Sequence, residues 1–240
     1  MKKQIRMNLK EQTDFVKLLN EMAYEYSAYD VFCDFLTMSC YSIANAVHYK
    51  KERESKYLEI IGKYKKNVQE GFPRLLGLVC LGLERKFCDF LGEIYMDCGF
   101  GDDRNGQFFT PYPVALVCAE ALVERVKENE IFTVLEPSCG SGEMVIALAD
   151  VLHKKGFDFQ RNLYVQAQDL SWNSVCMAMI QLSLLGIPAT VVHCNSLTLE
   201  TFGKFETPMV GMTLIKERLS LQNAVEGMKN HGKEESDTEN

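Results

Sequence analysis

The chain has 240 residues, of which 47% are hydrophobic and 25% charged, a balance that excludes a largely disordered protein. Its longest apolar run, residues 75–83, is too short to cross a bilayer, and no apolar segment follows the basic first residues, so we expect a cytoplasmic protein with no membrane association. The net charge of −7 is uneven: residues 1–86 hold 15 Lys/Arg against 11 Asp/Glu, and residues 87–240 hold 11 against 22. A chain that grips duplex DNA alone needs a concentrated basic face, which this pattern does not provide.

The nine cysteines predict structural thiols in a reducing compartment. Their number is odd, no two form a C-x-x-C pair, and the four histidines do not bracket a cysteine pair at zinc spacing. Several cysteines lie in apolar periodic stretches, where this residue packs as a small hydrophobe. We therefore predict no metal site.

The first part of the chain has the periodicity of helices. Phe15, Leu18, Leu19, Met22 and Tyr26 repeat on one face of an amphipathic helix. Further helices are predicted over residues 31–47, from the charged stretch at 50–55 to residue 64, and over 74–95 beyond the Gly-Phe-Pro break at 71–73. We expect a helical N-terminal domain over residues 1–98.

The pattern changes after the Gly-, Asp- and Asn-rich loop at residues 99–106. A second helical stripe consists of Val114, Val117, Cys118, Ala121, Leu122 and Val126. Strands at 131–135, 163–167 and 190–194 then alternate with helices at 143–153 and 173–185, and one more strand at 209–215 and one helix follow. This alternation predicts a parallel sheet. The expected fold is α/β, with the helical N-terminal domain followed by a partial Rossmann-like sheet over residues 99–231. Residues 232–240 are expected to be a disordered acidic tail.

The first strand runs directly into a turn that contains Glu136, Gly140 and Gly142 and is followed at once by a helix. Glycine permits positive φ and a close approach of the main chain to a ligand, and the helix N-terminus attracts an anionic group. A dinucleotide fingerprint needs a third glycine, where this sequence has Val145. An acid at the strand end would repel a pyrophosphate but suits the cationic amino group of S-adenosylmethionine. The turn therefore predicts a cofactor site, and the alternative is a plain strand–helix turn.

The second strand ends at Asp169. An acid at this position is placed to accept hydrogen bonds from ribose hydroxyls. The alternative role is an N-cap for the helix that begins near Asn173. Because Asp169 follows Glu136 after one complete αβ unit, we favour the ribose role.

The run Gln107-Phe108-Phe109-Thr110-Pro111 resembles the QFFTP segment of N6-adenine DNA methylases, and in particular the modification subunits of type I restriction–modification systems and their phage and plasmid relatives. The segments at 89–95, 181–188 and 193–198 agree with the same group, so the resemblance spans roughly residues 34–198. In that family the QFFTP segment closes over the methionine end of the cofactor. An alternative is that the aromatic pair and Thr-Pro simply open a helix at Tyr112.

The resemblance implies that S-adenosyl-L-methionine is the cofactor. It places Thr110 and its neighbours at the methionine end, and Asp169 at the ribose. Asn195 stands where the family often has an aspartate near the adenine ring, which keeps an acceptor but removes a charge. The cofactor-binding residues that we predict are Gln107, Phe108, Thr110, Pro111, Glu136, Ser138, Gly140, Ser141, Gly142, Asp169, Leu170 and Asn195.

The catalytic motif of the family is Asn or Asp, then Pro-Pro, then Tyr or Phe. Its oxygens accept hydrogen bonds from the adenine N6 amino group, and its aromatic ring stacks on the base once this is flipped out of the duplex. The sequence has no Pro-Pro, and where the motif belongs it reads Phe205-Glu-Thr-Pro208-Met209. We therefore assign no catalytic residue, and expect a methyltransferase half that is truncated after its cofactor-binding part.

We expect an S-adenosylmethionine-binding protein of the N6-adenine DNA methyltransferase family, and leave open whether the chain acts as an enzyme. Methyl transfer to DNA would need a partner protein. The early end of the sheet would leave an exposed edge, which invites a homo-oligomer or pairing with another chain. One alternative is a non-enzymatic regulatory or decoy subunit of a restriction–modification complex. Another is a vestigial domain that has lost the cofactor, against which the glycine turn, Asp169 and QFFTP argue.

Overall fold

The computed structural model describes residues 9–101, 110–127 and 130–225. The first of these ranges is helical, and its elements are α1 (Lys10–Met22), α2 (Ala28–Val47), α3 (Lys51–Ile61), α4 (Lys66–Gln69), α5 (Gly71–Arg85) and α6 (Phe90–Asp97). Among the helices of the described ranges, none combines the length and the apolar character needed to span a membrane.

The first predicted helix is confirmed, but it ends earlier than its apolar repeat. Phe15, Leu18 and Leu19 are buried on one face of α1. A 3-10 turn over Ala23–Glu25 follows α1, and Tyr26 has an extended backbone. The apolar spacing therefore continues for one step beyond the α-helix that it indicates.

The single helix predicted over residues 74–95 is wrong, because the chain forms α5 and α6 instead. α5 begins at Gly71, so Pro73 lies in its first turn, where a missing N–H costs no intrahelical hydrogen bond. The chain becomes extended at Lys86, and Asp89 then caps α6 by accepting a hydrogen bond from the backbone N–H of Gly92 at 3.0 Å. A local side-chain cap thus starts a new helix where apolar periodicity alone predicts continuity.

The helix α7 (Tyr112–Val123) is present as predicted, but it buries a different face. Ala115, Ala119 and Val123 are buried, whereas Val114 is half exposed and Val117 is 70% exposed. α7 packs against α8 (Glu143–Lys154), and the two alanines permit a close approach of the helices. The larger apolar residues of the predicted stripe therefore remain at the surface.

The sheet confirms the expected α/β class. Its strands are β1 (Phe132–Glu136), β2 (Leu163–Asp169), β3 (Ala189–Asn195) and β4 (Glu200–Glu206), in the order β1-β2-β3-β4. The first three are parallel, and the crossovers between them contain α8, α9 (Phe159–Asn162) and α10 (Trp172–Leu184). Because Glu136 is paired with Ala167 and Asp169 with His193, the carboxyl ends of these strands lie at one edge of a partial Rossmann-like sheet.

The strand predicted over residues 209–215 is wrong. This segment contains α11 (Pro208–Met212), and a further helix, α12, covers residues 215–225. Pro208 occupies the first helical position, which suits its fixed φ and its missing N–H. The fourth strand is β4 instead, which runs antiparallel to β3 because only a short loop at 196–199 joins the two.

The helical and sheet-containing parts of the described chain share one hydrophobic cluster. It includes Phe15, Phe32 and Phe90 from the helices before residue 98, together with Ile146 and Val165 from the sheet region. The helix α10 contacts α2 as well as β2 and β3. The division between residues 98 and 99 therefore stays a prediction.

The strand β1 lies at one edge of the sheet, and within the described residues it pairs with β2 only. The amino end of this edge is covered, because the Gln222 side chain of α12 accepts a hydrogen bond from Ile131 N at 2.7 Å and donates one to Ile131 O at 3.4 Å. Towards the carboxyl end, Leu135 is 62% exposed. The part of the edge nearest Glu136 is therefore uncovered in the described chain.

Candidate functional site

The carboxyl ends of β1 and β2 are joined by the glycine turn, residues 137–142, which leads directly into α8. Gly140 has a φ of 54° and Gly142 a φ of 100°. Side chains with a Cβ rarely adopt this left-handed region, so both positions require glycine for conformational reasons. The turn places backbone N–H groups at the strand ends, beside the N-terminus of a helix.

Asp169 fixes the glycine turn to β2. Its Oδ2 accepts a hydrogen bond from Gly140 N at 2.9 Å, and its Oδ1 accepts one from Ser171 N at 2.8 Å. The N-cap of α10 is Ser171, whose hydroxyl accepts from Ser174 N. The structure therefore rejects the alternative role of Asp169 as the helix cap and places its carboxylate beside the turn.

Other predicted residues lie around the same strand ends, in what we call the strand-end cleft. Glu136 Oε1 accepts a hydrogen bond from Ser138 N at 3.2 Å. Asn195 Oδ1 accepts from the N–H groups of Leu197 and Thr198 at 3.0 and 3.2 Å, so its side chain closes the loop between β3 and β4. Leu170 and Ser138 are exposed at the same strand ends. The hydroxyl of Ser196 donates a hydrogen bond to Pro137 O at 2.6 Å.

The inner side of the glycine turn contacts a buried polar network that the sequence analysis did not identify. The hydroxyl of Ser141 donates a hydrogen bond to Asp89 Oδ2. Gln181 Nε2 lies 2.8 Å from Asp89 Oδ1 and 2.9 Å from Ser141 O, and Gln181 Oε1 accepts from Leu91 N at 3.0 Å. Ser141, predicted as a cofactor residue, is thus buried and supports the turn from behind.

The network leaves no space around Gly92. A Cβ at this position would lie 1.9 Å from Asp89 Oδ2 and 2.5 Å from Ser141 Oγ. Burial raises the pKa of Asp89, although hydrogen bonds from Gln181, Ser141 and Gly92 favour its charged form. Asp89 and Gln181 belong to two segments far apart in the chain, and neither their spacing nor their residue types indicate that they meet.

A cavity of about 620 Å³ lies next to the turn, between α6, the start of α7 and the first turn of α8. Two predicted residues, Thr110 and Pro111, line it. Gln107 and Phe108, also predicted, lie outside the described residues. The predicted site residues thus divide between the strand-end cleft and this cavity, which we call the α6–α8 cavity.

Glu143, the first residue of α8, lines the α6–α8 cavity and is only 8% exposed. Burial raises the pKa of its carboxyl group to about 8, with smaller contributions from the nearby Asp89 and Glu93. Glu143 has no role that its sequence context alone would indicate. An acid directly after the second glycine cannot be told apart, in the sequence, from an ordinary acidic residue in the first turn of a helix.

Residues 205–209, which stand at the sequence position of the methylase catalytic motif, lie away from the strand-end cleft. The hydroxyl of Thr207 accepts a hydrogen bond from Ala189 N at 2.9 Å and donates one to Ile187 O at 2.7 Å. These contacts are at the amino end of β3, whereas Glu136 and Asp169 are at the carboxyl ends of their strands. In the described residues, no group of three or more His, Cys, Asp or Glu could hold a metal ion.

Comparison with known proteins gives similarity to DNA methylases. The family model for N-6 DNA methylases matches residues 91–212. One solved structure, described as a class I S-adenosylmethionine-dependent methyltransferase from Listeria monocytogenes, is 16% identical with a TM-score of 0.46, and the match covers 78% of this chain and 54% of that one. A type I restriction–modification methyltransferase subunit from Streptococcus thermophilus is 12% identical with a TM-score of 0.35, and the match covers 75% and 55%.

The chain therefore spans about half the length of both structures. A search of curated proteins found no match. The family match covers half of the chain and includes α6 from its second residue onwards, the glycine turn, Asp169 and all four strands. On this basis, the chain belongs to the N-6 DNA methylase family.

Proposed function

We propose that this chain is the S-adenosylmethionine-binding part of an N6-adenine DNA methyltransferase. The observation that carries the proposal is the glycine turn, where Gly140 and Gly142 adopt positive φ and Gly140 N is bonded to Asp169 at the ends of β1 and β2. Such a turn leaves room for a ligand against the main chain. Membership of a DNA methylase family supports the choice of ligand.

The residues of the strand-end cleft fit the parts of this cofactor. Each carboxylate oxygen of Asp169 accepts one backbone N–H, and each keeps capacity to accept a ribose hydroxyl. Glu136 provides a negative charge for the cofactor's amino group, and the exposed Leu170 an apolar contact for adenine, near Asn195. When bound, the cofactor supplies a methyl group activated by a positively charged sulfur.

In this proposal the chain transfers a methyl group to DNA only when it is bound to a partner protein. The sequence has no Pro-Pro, and Thr207 and Pro208 lie next to the amino end of β3. A partner chain would supply the Asn/Asp-Pro-Pro-aromatic motif that holds the adenine, and most of the contacts with DNA. The acidic balance of residues 87–240 favours this division, because phosphate contacts require Lys and Arg.

The uncovered part of the β1 edge is the surface that we propose for pairing, either with a second copy or with another protein. Its backbone groups lie next to Leu135, which is 62% exposed. Unpaired strand edges bind other strands readily. Light scattering at high protein concentration tests self-association: a monodisperse monomer would contradict the homo-oligomer and leave another protein as the partner.

A second candidate function is a non-enzymatic regulatory or decoy subunit that binds S-adenosylmethionine and joins a restriction–modification complex. The absence of Pro-Pro from the sequence favours this candidate. It shares the cofactor site with the first candidate and differs only in the fate of the methyl group.

Two measurements on the purified chain test these functions. Calorimetric titration with S-adenosylmethionine measures binding, and transfer of a labelled methyl group to DNA, with and without host lysate, measures activity. Binding with transfer in lysate supports the methyltransferase, and binding without transfer under any condition supports the regulatory subunit. Absence of binding would contradict both.

A further inference from the structure

The helix α12 covers the amino end of the β1 edge through the side chain of Gln222. Its Oε1 accepts a hydrogen bond from Ile131 N at 2.7 Å, and its Nε2 donates one to Ile131 O at 3.4 Å. An added strand would pair with Ile131 through these same two backbone groups. Gln222 and a partner strand therefore compete for Ile131.

The position of this contact determines how much of the β1 edge is free. The backbone groups of alternate residues point to the same edge of a strand, so Thr133 and Leu135 face the uncovered side together with Ile131. Within the described residues, β1 pairs with β2 only, on its other side. With Gln222 in place, a partner strand can pair with two of these three residues, and it can pair with all three once Gln222 has left.

The inner side of α12 packs in a small hydrophobic cluster that is separate from the main one. The buried members of this cluster are Ile131, Val210 and Ile215, and Tyr164 and Leu219 pack against them. On the outer side of α12, Leu221 and Val225 are exposed. The helix thus leaves as many large apolar side chains exposed as it packs in the cluster, and its departure would not open the main core.

Polar contacts fix α12 to its neighbours. Arg218 Nη1 donates a hydrogen bond to Arg161 O at 2.6 Å, and Arg218 Nη2 donates one to Asn162 Oδ1 at 3.0 Å. Lys216 forms an ion pair with Glu206, and about a third of each of these two side chains is exposed. Ion pairs at the surface contribute little to stability, and water replaces such hydrogen-bond partners when a helix leaves. These contacts therefore hold α12 in place without joining it firmly to the core.

The junction between α11 and α12 is strained at Leu214. This residue has a φ of 50°, in the left-handed region that side chains with a Cβ rarely adopt. Its N–H donates a hydrogen bond to Gly211 O at 3.3 Å, and its carbonyl accepts one from Arg218 N at 3.0 Å. The closed position of α12 maintains this strain, and a movement about Leu214 would release it.

We propose that α12 is a hinged cover, which swings away as a unit about Leu214 and uncovers the backbone groups of Ile131. In the closed state Gln222 occupies Ile131 and shortens the edge, which protects the free chain against strand addition. In the open state the edge has its full length. The strand that then enters belongs to the partner, so this last step rests on the proposed function, whereas the opening is a property of the free chain.

Hydrogen exchange of backbone amides tests the opening. It is measured by NMR on the full chain without cofactor, at increasing urea concentrations below the unfolding transition. Val165 in β2 is the reference, because it is fully buried and its N–H donates a hydrogen bond to Pro188 O. We expect the amides of α12 and of Ile131 to share one opening, with protection at least about 100-fold lower than that of Val165 and little dependence on urea. Exchange of α12 only together with Val165, through global unfolding, would overturn the inference.

A first pair of variants tests the contact that closes the cover. Gln222→Ala removes both hydrogen bonds to Ile131, and Asn223→Ala makes a comparable change at the next, exposed position of α12. We expect Gln222→Ala to lower the protection of the α12 amides together, roughly fivefold to tenfold, and Asn223→Ala to change it less than about twofold. Faster exchange of Ile131 alone would show the loss of a single hydrogen bond and would contradict a cover that opens as a unit.

A second pair of variants tests the hinge. Leu214→Gly removes the strain of the closed state, and Leu199→Gly does the same at a φ of 63° in the loop before β4. Leu214→Gly should raise the protection of the α12 amides roughly threefold or more, and Leu199→Gly should leave it unchanged. Equal protection in the two variants would overturn the role of Leu214. These measurements use no S-adenosylmethionine, so a failure of cofactor binding, which contradicts the proposed function, is distinguished from a failure of the cover.

Discussion

On its outer side the glycine turn is bonded to the partly exposed Asp169, whereas on its inner side it contacts the fully buried Asp89 and Gln181. The outer bonds use backbone N–H groups beside an open cleft. The inner bonds form a network with no unsatisfied atom, in which Asp89 comes from α6 and Gln181 from α10. The shape of the turn is therefore set from behind, which leaves the outer side available to a ligand.

The largest expected effect comes from filling the inner side. In Gly92→Ala the new Cβ would overlap Asp89 Oδ2 and Ser141 Oγ, and we expect a loss of about 3 kcal/mol in the free energy of unfolding. The matched control is Gly77→Ala in the middle of α5, where no atom lies within 4 Å of the new Cβ. That change should stabilise the protein by about 1 kcal/mol. Urea unfolding measures both, and equal effects would contradict the packed inner side.

A smaller loss is expected when the network loses one member without a change of backbone. Gln181→Leu leaves Asp89, Ser141 O and Leu91 N each short of a hydrogen bond, which should cost about 2 kcal/mol. Gln166→Leu, on the exposed face of β2, should change stability by less than about 0.5 kcal/mol. Equal denaturant midpoints for the two variants would show that the buried network does not stabilise the fold.

Variants on the outer side of the turn should differ more in their binding of S-adenosylmethionine than in their stability. Gly140→Val places a branched side chain at a φ of 54°, and Gly156→Val does the same at 81°, in open space after α8. Both should cost roughly 1–2 kcal/mol in stability. Only Gly140→Val should abolish the binding of S-adenosylmethionine in calorimetry. Unchanged affinity in Gly140→Val would refute the assignment of the turn, and an equal loss in Gly156→Val would reduce it to a general effect of strain.

The outer side of the turn could be predicted from the sequence because its parts are close together in the chain. Glu136, Gly140 and Gly142 lie within seven residues, and a strand, two glycines and a helix have a local physical meaning. The N-cap alternative for Asp169 required the structure, since Ser171 two residues later competes for the same helix. Local motifs thus indicate where a site lies, but not which hydrogen bonds its side chains form.

The inner side could not be predicted in the same way. Asp89 and Gln181 are 92 residues apart, and nothing in either segment specifies the other. The buried face of α7 is predicted wrongly for a related reason. Apolar periodicity favours the larger Val114 and Val117, but close packing on α8 buries Ala115 and Ala119 instead. The sequence does not predict β4, because most of its residues are exposed and the strand lacks an alternation of apolar and polar residues. Contacts between distant segments decide these features.

The smallest expected effect is a change in the pH dependence of stability, and it comes from Glu143 in the α6–α8 cavity rather than from either side of the turn. The folded protein raises the pKa of Glu143 to about 8 from an ordinary 4.5, so between these values the folded state holds a proton that the unfolded state has lost. The stability that this proton provides is complete below about pH 4.5 and is lost as the pH rises through 8.

In Glu143→Gln this titration is absent, so the melting temperature should fall less between pH 5 and pH 9 than it does in the unaltered chain. The buried Asp89, whose pKa is also raised, contributes the same sign in both proteins. The control Glu124→Gln makes the same substitution at the exposed end of α7 and should keep the original pH dependence. Parallel melting curves for Glu143→Gln and the unaltered chain would show that Glu143 ionises in the free protein as it does in water.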